Sequence, residues 1–459
     1  MMSPQPEAII ARHVATCRYE QLSEDAIAVA KRSIVDGLAV MVAGRGVEGM
    51  GALGTLVERW GGTPEARVYT TGRRVPAPAA AWVNGAHSRA VELDDCTDYV
   101  PIHPTAAAFP ALLAFADLLP MSGKDFVRAI VVAQDLNVRF GLAIARNPMQ
   151  SGRNDIYRVL AATAGAAVAL ELDEEATWNA LGLSMVYGAG DLQGVLEGKT
   201  AAAVQYGNCA AAAVQSGLLA QLGATGAKAF LLGRGGYLTA FEPEHDLDKL
   251  VGGLGERFYG THISVKPYAA CRAVHAMIDM ARSVRDTHGA MSADQIDRID
   301  ITVSPEVFNV VGHPRDAKLR PRTSGDAQFS AYFVAACALL HGRMGLADSS
   351  PSRLGDPRVA ALAAKVHVHP SEAHRTDRII GRTDFTVHTA AGDRIVESSD
   401  CPLGAPENPV SAEMLRAKLV DCFDHGGFEP ESEDVDRLMD HVDNIEAVPI
   451  VRTIFEPFA

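Results

Sequence analysis

Two stretches constrain the fold most: AATAGAAVALEL at 161–172 and TAAAVQYGNCAAAAVQSGLLAQL at 200–222, where alanine and glycine occupy nearly every side of a helical run. Alanine is the strongest helix former, and small side chains let helix backbones approach closely. A helix that is apolar all round is buried, so these two segments predict central helices of a tightly packed helical domain rather than a loose amphipathic bundle. Residues 22–43 fit beside them. Ser23 is an N-cap before first-turn acids, and Ile27, Ala30, Ile34, Leu38 and Met41 recur at three- and four-residue intervals. Segments 125–147 and 174–189 read as further helices.

The pattern changes after about residue 290. Ile299, Ile301 and Val303 alternate with polar residues, as do Val366 and Val368, and TDFTVHTAAGDRIVES reads as two strands joined through Gly392. A helix over 326–341 separates them, and helix returns after the N-cap Ser411. The expected fold class is therefore mainly α. It comprises a multihelical domain built from both chain ends, residues 1–265 and 405–459, and a smaller α+β domain over 266–404. No internal repeat or low-complexity linker interrupts this plan.

The formal net charge of -14 over 459 residues, with no lysine- or arginine-rich block, argues against a nucleic-acid or anionic-membrane surface. An anionic ligand must then meet a local cationic pocket. The N-terminal residues lack a basic-then-apolar signal pattern and no stretch reaches spanning length, so a cytoplasmic location is expected. Seven cysteines are scattered without a Cys-x-x-Cys pair, which points to reduced thiols and away from an iron–sulfur hydratase. Cys96 and Cys271 read as buried thiols rather than nucleophiles.

Chemistry concentrates in two places. VELDDCTDYVPIHPTAAAFPALLAF at 91–115 sets Glu92, Asp94, Asp95 and Asp98 close to His103, ahead of an apolar helix. Crowded carboxylates raise one another's pKa, and a helix dipole favours a neutral imidazole at its mouth, which together suit a general base. In SVKPYAACRAVHAMIDMA at 264–281, Lys266, Arg272 and His275 sit at a helix start. Cations there oppose the dipole unless they hold an anion, a ligand carboxylate or phosphate, or an acid of another element. GVLEGKT at 194–200 lacks the glycine spacing of a phosphate loop, and GAGDLQG at 188–194 lacks the dinucleotide spacing. His367, His369 and His374 read as an exposed face, so no metal is expected.

Taken together these pieces resemble the MmgE/PrpD family of 2-methylcitrate dehydratases, cis-aconitate decarboxylases and iminodisuccinate epimerases. The likeness runs through SIVDGLAVMVAG at 33–44, residues 84–117, FLLGRGGYLTAF at 230–241, residues 264–279, DAQFSAYFVAACALLHG at 326–342 and PLGAPENPVSAEMLRAKL at 402–419. It implies a lid-like α+β domain, a homodimer, and a pocket between domains that needs no metal or cofactor. It also matches the family's active-site carboxylates to Glu92, Asp94 and Asp95, its histidine to His103 and its lysine to Lys266. Departures stand beside the matches. Ala202 and Gln205 occupy a lysine and a histidine position, Asn154, Asp155 and Arg158 replace a His-Pro element, and Phe333, with Tyr332 beside it, stands near a tyrosine.

The expectation is a cofactor-free lyase dehydrating or decarboxylating a hydroxylated or unsaturated carboxylic acid through an enolate. An epimerase or isomerase using the same proton abstraction, or a non-catalytic carboxylate binder, are the alternatives. Asp94, Asp95, His103 and Lys266 are the catalytic candidates. Glu92, Arg158, Lys199, Gln205, Arg272, His275 and Tyr332 are the substrate-binding ones. The partners expected are a small carboxylate and a second copy of the chain, and the lost lysine and histidine predict a substrate with fewer carboxylates than a tricarboxylate.

Overall fold

The computed structural model describes residues 5–144, 152–153, 155–428 and 432–458. The helix Glu24–Gly44 starts at Ser23, whose hydroxyl accepts from Ala26 N at 3.2 Å, and buries Ile34, Leu38 and Met41. Ser122 caps Gly123–Ala143 in the same way, so this helix starts two residues before the expected 125; positions 145–147 of the expected helix lie outside the described residues. Arg158–Ala169 and Ala201–Gln221 are the alanine-rich pair. Every residue from Arg158 to Val168 is buried.

Small residues pack these helices around Ala77–Arg89, a helix that shows no apolar stripe in the sequence. A methyl group on Gly85 would stand 2.9 Å from Ala210 Cβ, one on Gly207 would overlap the Trp82 carbonyl oxygen, and one on Gly44 would overlap that of His87. The backbones of three helices are thus in direct contact, and any added side chain here must push them apart. This close packing fixes where Arg89, the last residue of the central helix, emerges.

The chain end joins the same core. Ser411 accepts from Met414 N at 3.2 Å to start Ala412–His425, whose Leu419, Cys422 and Phe423 cluster with Leu38 and the other apolar residues of the helical part. Lys418 on this helix pairs with Asp36 and donates to Leu93 O at 2.9 Å.

A second core forms over residues 268–387. Its four-stranded sheet runs Val366–Pro370, Ile296–Val303, Thr383–Thr389, Arg394–Ser399, the first pair parallel and the others antiparallel. Ile299, Ile301, Val303, Phe385 and Val387 are buried in this core with residues of His275–His288 and Ala331–His341. Gly392, at φ 96, supplies the left-handed residue of the last turn. The single helix expected over 326–341 is split into Ser324–Gln328 and Ala331–His341. Ser330 makes the break: its hydroxyl accepts from Phe333 N at 3.0 Å and donates to Lys318 O at 2.6 Å.

His369 stands on the exposed sheet face against Asp300 at 3.1 Å, whereas His374 is buried and meets Asp384 at 2.9 Å. Among the described residues no group of three or more His, Cys, Asp or Glu side chains is arranged to hold a metal, and no helix is long and apolar enough to cross a membrane. All seven cysteines are free.

Candidate active site

The site is the loop that follows Arg89. Cys96–Thr97 pairs antiparallel with Ile263–Ser264, in the register Cys96↔Ser264, and continuing that register by two residues sets Lys266 opposite Asp94. Lys266 Nζ lies 2.6 Å from Glu92 Oε1, 3.3 Å from Glu92 O and 3.9 Å from Asp94 Oδ1. Arg89 Nη1 pairs with Glu92 Oε2 and stands 3.5 Å from Asp94 Oδ1. Glu92 itself sits at φ 52, a left-handed conformation that costs a non-glycine residue about 1 kcal/mol or more and is held here by its two cations.

These cations reverse the expected mutual raising of the carboxylates. Burial is the largest effect on Glu92 and pushes its carboxyl up, but Arg89 and then Lys266 outweigh it and leave the group at about 2. For Asp94 burial again acts first and upward, and His103 and Arg89 drive it well below the usual range. Asp95 behaves differently. Burial raises it to about 7, with Asp36 and Asp94 adding to the rise and hydrogen bonds from Thr105 and Ser33 opposing it. Ser33 Oγ donates to Asp95 Oδ2 at 3.0 Å, Thr105 N donates to Oδ1 at 3.2 Å, and the Thr105 hydroxyl also binds Oδ2 while accepting from Gln134 Nε2 at 2.8 Å.

His103 Nδ1 lies 2.8 Å from Asp94 Oδ2 and 3.1 Å from Asp95 O. Two acceptors at one ring nitrogen assign the proton to Nδ1 and leave the Nε2 lone pair as the base. Its pKa is lowered, by burial first and Arg89 next, so the imidazole is neutral. The dipole is not the cause, because the following helix begins only at Ala108. The Tyr206 ring stands edge-on to His103 at 6.0 Å, with the Arg158 guanidinium 3.6 Å above its centre.

The other candidates are distributed as follows. Arg272 holds Asp98 in two bonds of 2.7 and 2.9 Å and donates to Leu403 O at 2.6 Å and Pro402 O at 3.3 Å, so its anion is the protein's own. His275 is buried, its pKa well below normal through burial, and Nε2 meets Ala270 O at 3.1 Å. Arg158 pairs with Asp155. Gln205 Nε2 donates to Asp191 O at 2.9 Å, Lys199 is exposed, and the buried Tyr332 hydroxyl donates to Gly312 O at 2.9 Å. Asn154 lies outside the described residues. Burial raises the Cys96 thiol to about 12 and Cys271 to about 11, which keeps both protonated. Sequence reasoning missed Arg89, Ser33, Thr105 and Tyr206. Arg89 had a signal, since it stands three residues before Glu92 at the end of a helical run.

Asp95 gives this site a pH signature. The unfolded carboxyl releases its proton near 3.8 while the folded one keeps it until about 7, so across that window the folded state binds more protons and stability falls as pH rises, by at most about 1.4 kcal/mol per unit. Asp95→Asn is expected to flatten this fall, read as urea unfolding free energies at about pH 4.5 and about pH 7. An unchanged slope in the variant contradicts the assignment.

Fold and site define a mainly helical protein whose acid–base cluster lies where the helical core meets the α+β core. The chain belongs to the MmgE/PrpD family: the family's N-terminal domain matches residues 8–250 and its C-terminal domain residues 268–444. It is 26% identical to the cis-aconitate decarboxylase-like protein oryM of Aspergillus oryzae, over 88% of each chain. It is also 26% identical to the cis-aconitate decarboxylases of Aspergillus terreus, over 87% of this chain and 85% of the relative, and of Mus musculus, over 88% and 83%.

Proposed function

We propose that this protein is a dehydratase- or decarboxylase-type lyase acting, without a cofactor, on a small hydroxylated or unsaturated carboxylic acid. The observation that carries the reading is the neutral His103 held at 2.8 Å by an ionised Asp94, beside a buried lysine. In dehydration, His103 Nε2 takes the proton from the carbon beside the substrate carboxylate, the electron pair moves to an enolate, and the hydroxyl leaves as water with the proton that His103 then gives up. In decarboxylation the C–C bond breaks, carbon dioxide leaves, and His103 takes up a proton from solvent at Nε2 and passes it to the carbanion. Lys266 has three ammonium protons, of which Glu92 Oε1 and Glu92 O take two, so one remains for the developing negative charge.

Relatives named for cis-aconitate support the lyase class, while the chain's own residues argue for a substrate with fewer carboxylates. Ala202 and Gln205 supply no charge, and Arg272 is spent on Asp98. Steady-state assays of cis-aconitate, 2-methylcitrate and a panel of mono- and dicarboxylic acids test this. A kcat/KM near about 10⁴ M⁻¹s⁻¹ for either tricarboxylate contradicts it.

We also propose a homodimer. Trp60, 61% exposed, stacks 5.6 Å from Trp82, whose indole donates to Asn208 on the second alanine-rich helix at 2.8 Å, and Leu219 and Leu222 are exposed at the far end of that helix. Sedimentation equilibrium should give twice the chain mass; a monomer contradicts it.

A further inference from the structure

The buried cations at the catalytic loop are matched by carboxylates of the chain. Arg89 and Lys266 face Glu92 and Asp94, Arg272 holds Asp98, Arg158 holds Asp155 and Lys418 holds Asp36. Lys318, half-buried on the short helix Arg315–Leu319, forms no ion pair among the described residues. Its ammonium lies 5.9 Å from the centre of the Phe329 ring, at the break between the two helices, where Ser330 holds its carbonyl.

This corner is tied to the catalytic loop. Cys271 N donates to Gln328 O at 3.0 Å, and Gln328 Nε2 donates to Val91 O at 3.0 Å, one residue before Glu92. Cys271 is close enough to feel the charges of Glu92, Lys266 and Lys318 together. Burial pushes the Lys318 ammonium below the usual lysine value, and the Asp326 carboxylate acts the other way. A cation drawn partly out of water with no carboxylate at ion-pair distance costs free energy, and an anion arriving from solution offsets that cost.

We propose that Lys318 grips the carboxylate of the substrate, so that the site charge-pairs one carboxylate strongly rather than three. The assignment rests on reading the site as one for carboxylic acids, and it adds a recognition residue to that reading. No reacting atom is placed on Lys318.

Calorimetric titration of the full chain with butyrate and with succinate tests it. Lys318→Gln is expected to weaken both acids by about tenfold or more, and by the same factor, since one carboxylate of either acid reaches the lysine. Lys318→Arg should restore most of the affinity, and both variants should melt with the unchanged protein because no ion pair is broken. Equal affinity of Lys318→Gln and the unchanged protein overturns the assignment while leaving the acid–base site intact. A lowered melting temperature in Lys318→Gln, with binding equally weak in Lys318→Arg, overturns it in favour of a structural role. If the unchanged protein binds neither acid, the carboxylic-acid reading falls and Lys318 falls with it.

Discussion

His103→Ala is expected to lower kcat by about 10²- to 10⁴-fold, the usual worth of a positioned general acid–base, while costing only about 1 to 2 kcal/mol of stability. The two effects separate because of what remains. Without the imidazole, Asp94 keeps Arg89 at 3.5 Å and Lys266 at 3.9 Å, so its charge stays compensated, but no group is left at the Nε2 position to move a proton. Steady-state turnover and urea unfolding of the same preparation read both quantities. Retained turnover removes His103 from the mechanism.

Lys266→Ala is expected to act mainly on the fold. The ammonium is fully buried, at 2.6 Å from Glu92 Oε1, and its loss leaves two buried carboxylates with Arg89 as their main cation. Removing one partner of such a buried cluster costs about 3 to 5 kcal/mol, a large part of the 5 to 15 kcal/mol that stabilises a domain. Removing the opposing charge as well, in Lys266→Met with Glu92→Gln, should recover a substantial part of that loss, because the uncompensated carboxylate goes with it. Urea unfolding of the single and double variants checks this. Wild-type stability in Lys266→Ala contradicts the ion-pair account.

This second expectation differs from what the sequence alone suggests. Lys266 and Arg272 at a helix start read as cations that need an anion, and the structure supplies one to each. The anions are Glu92 and Asp98, which lie 174 residues away in the chain, a pairing that only the Cys96↔Ser264 bridge reveals. The helical segments were legible because caps and apolar spacing are local: Ser23, Ser122 and Ser411 each start a helix as a side-chain acceptor. Ala77–Arg89 was not legible, since its burial comes from glycine contacts with two other helices rather than from a stripe. The same limit hid Arg89 and the opposite fates of the neighbouring carboxylates. Asp94 and Asp95 are adjacent in sequence, yet one faces His103 and Arg89 while the other is buried beside Asp36, so one is lowered and the other raised.

The central claim is that His103 moves a proton at the carbon beside a substrate carboxylate. It is tested most directly by NMR of the full chain incubated in deuterium oxide with hydroxylated and unsaturated carboxylic acids. The account predicts elimination or decarboxylation product, with solvent deuterium at the carbon that lost carbon dioxide in the decarboxylation product or at the carbon beside the carboxylate in recovered hydroxy acid, and none of these with His103→Ala. Exchange at that carbon with no elimination or decarboxylation product would replace the lyase by an epimerase, and neither product nor exchange with any acid would contradict the claim itself.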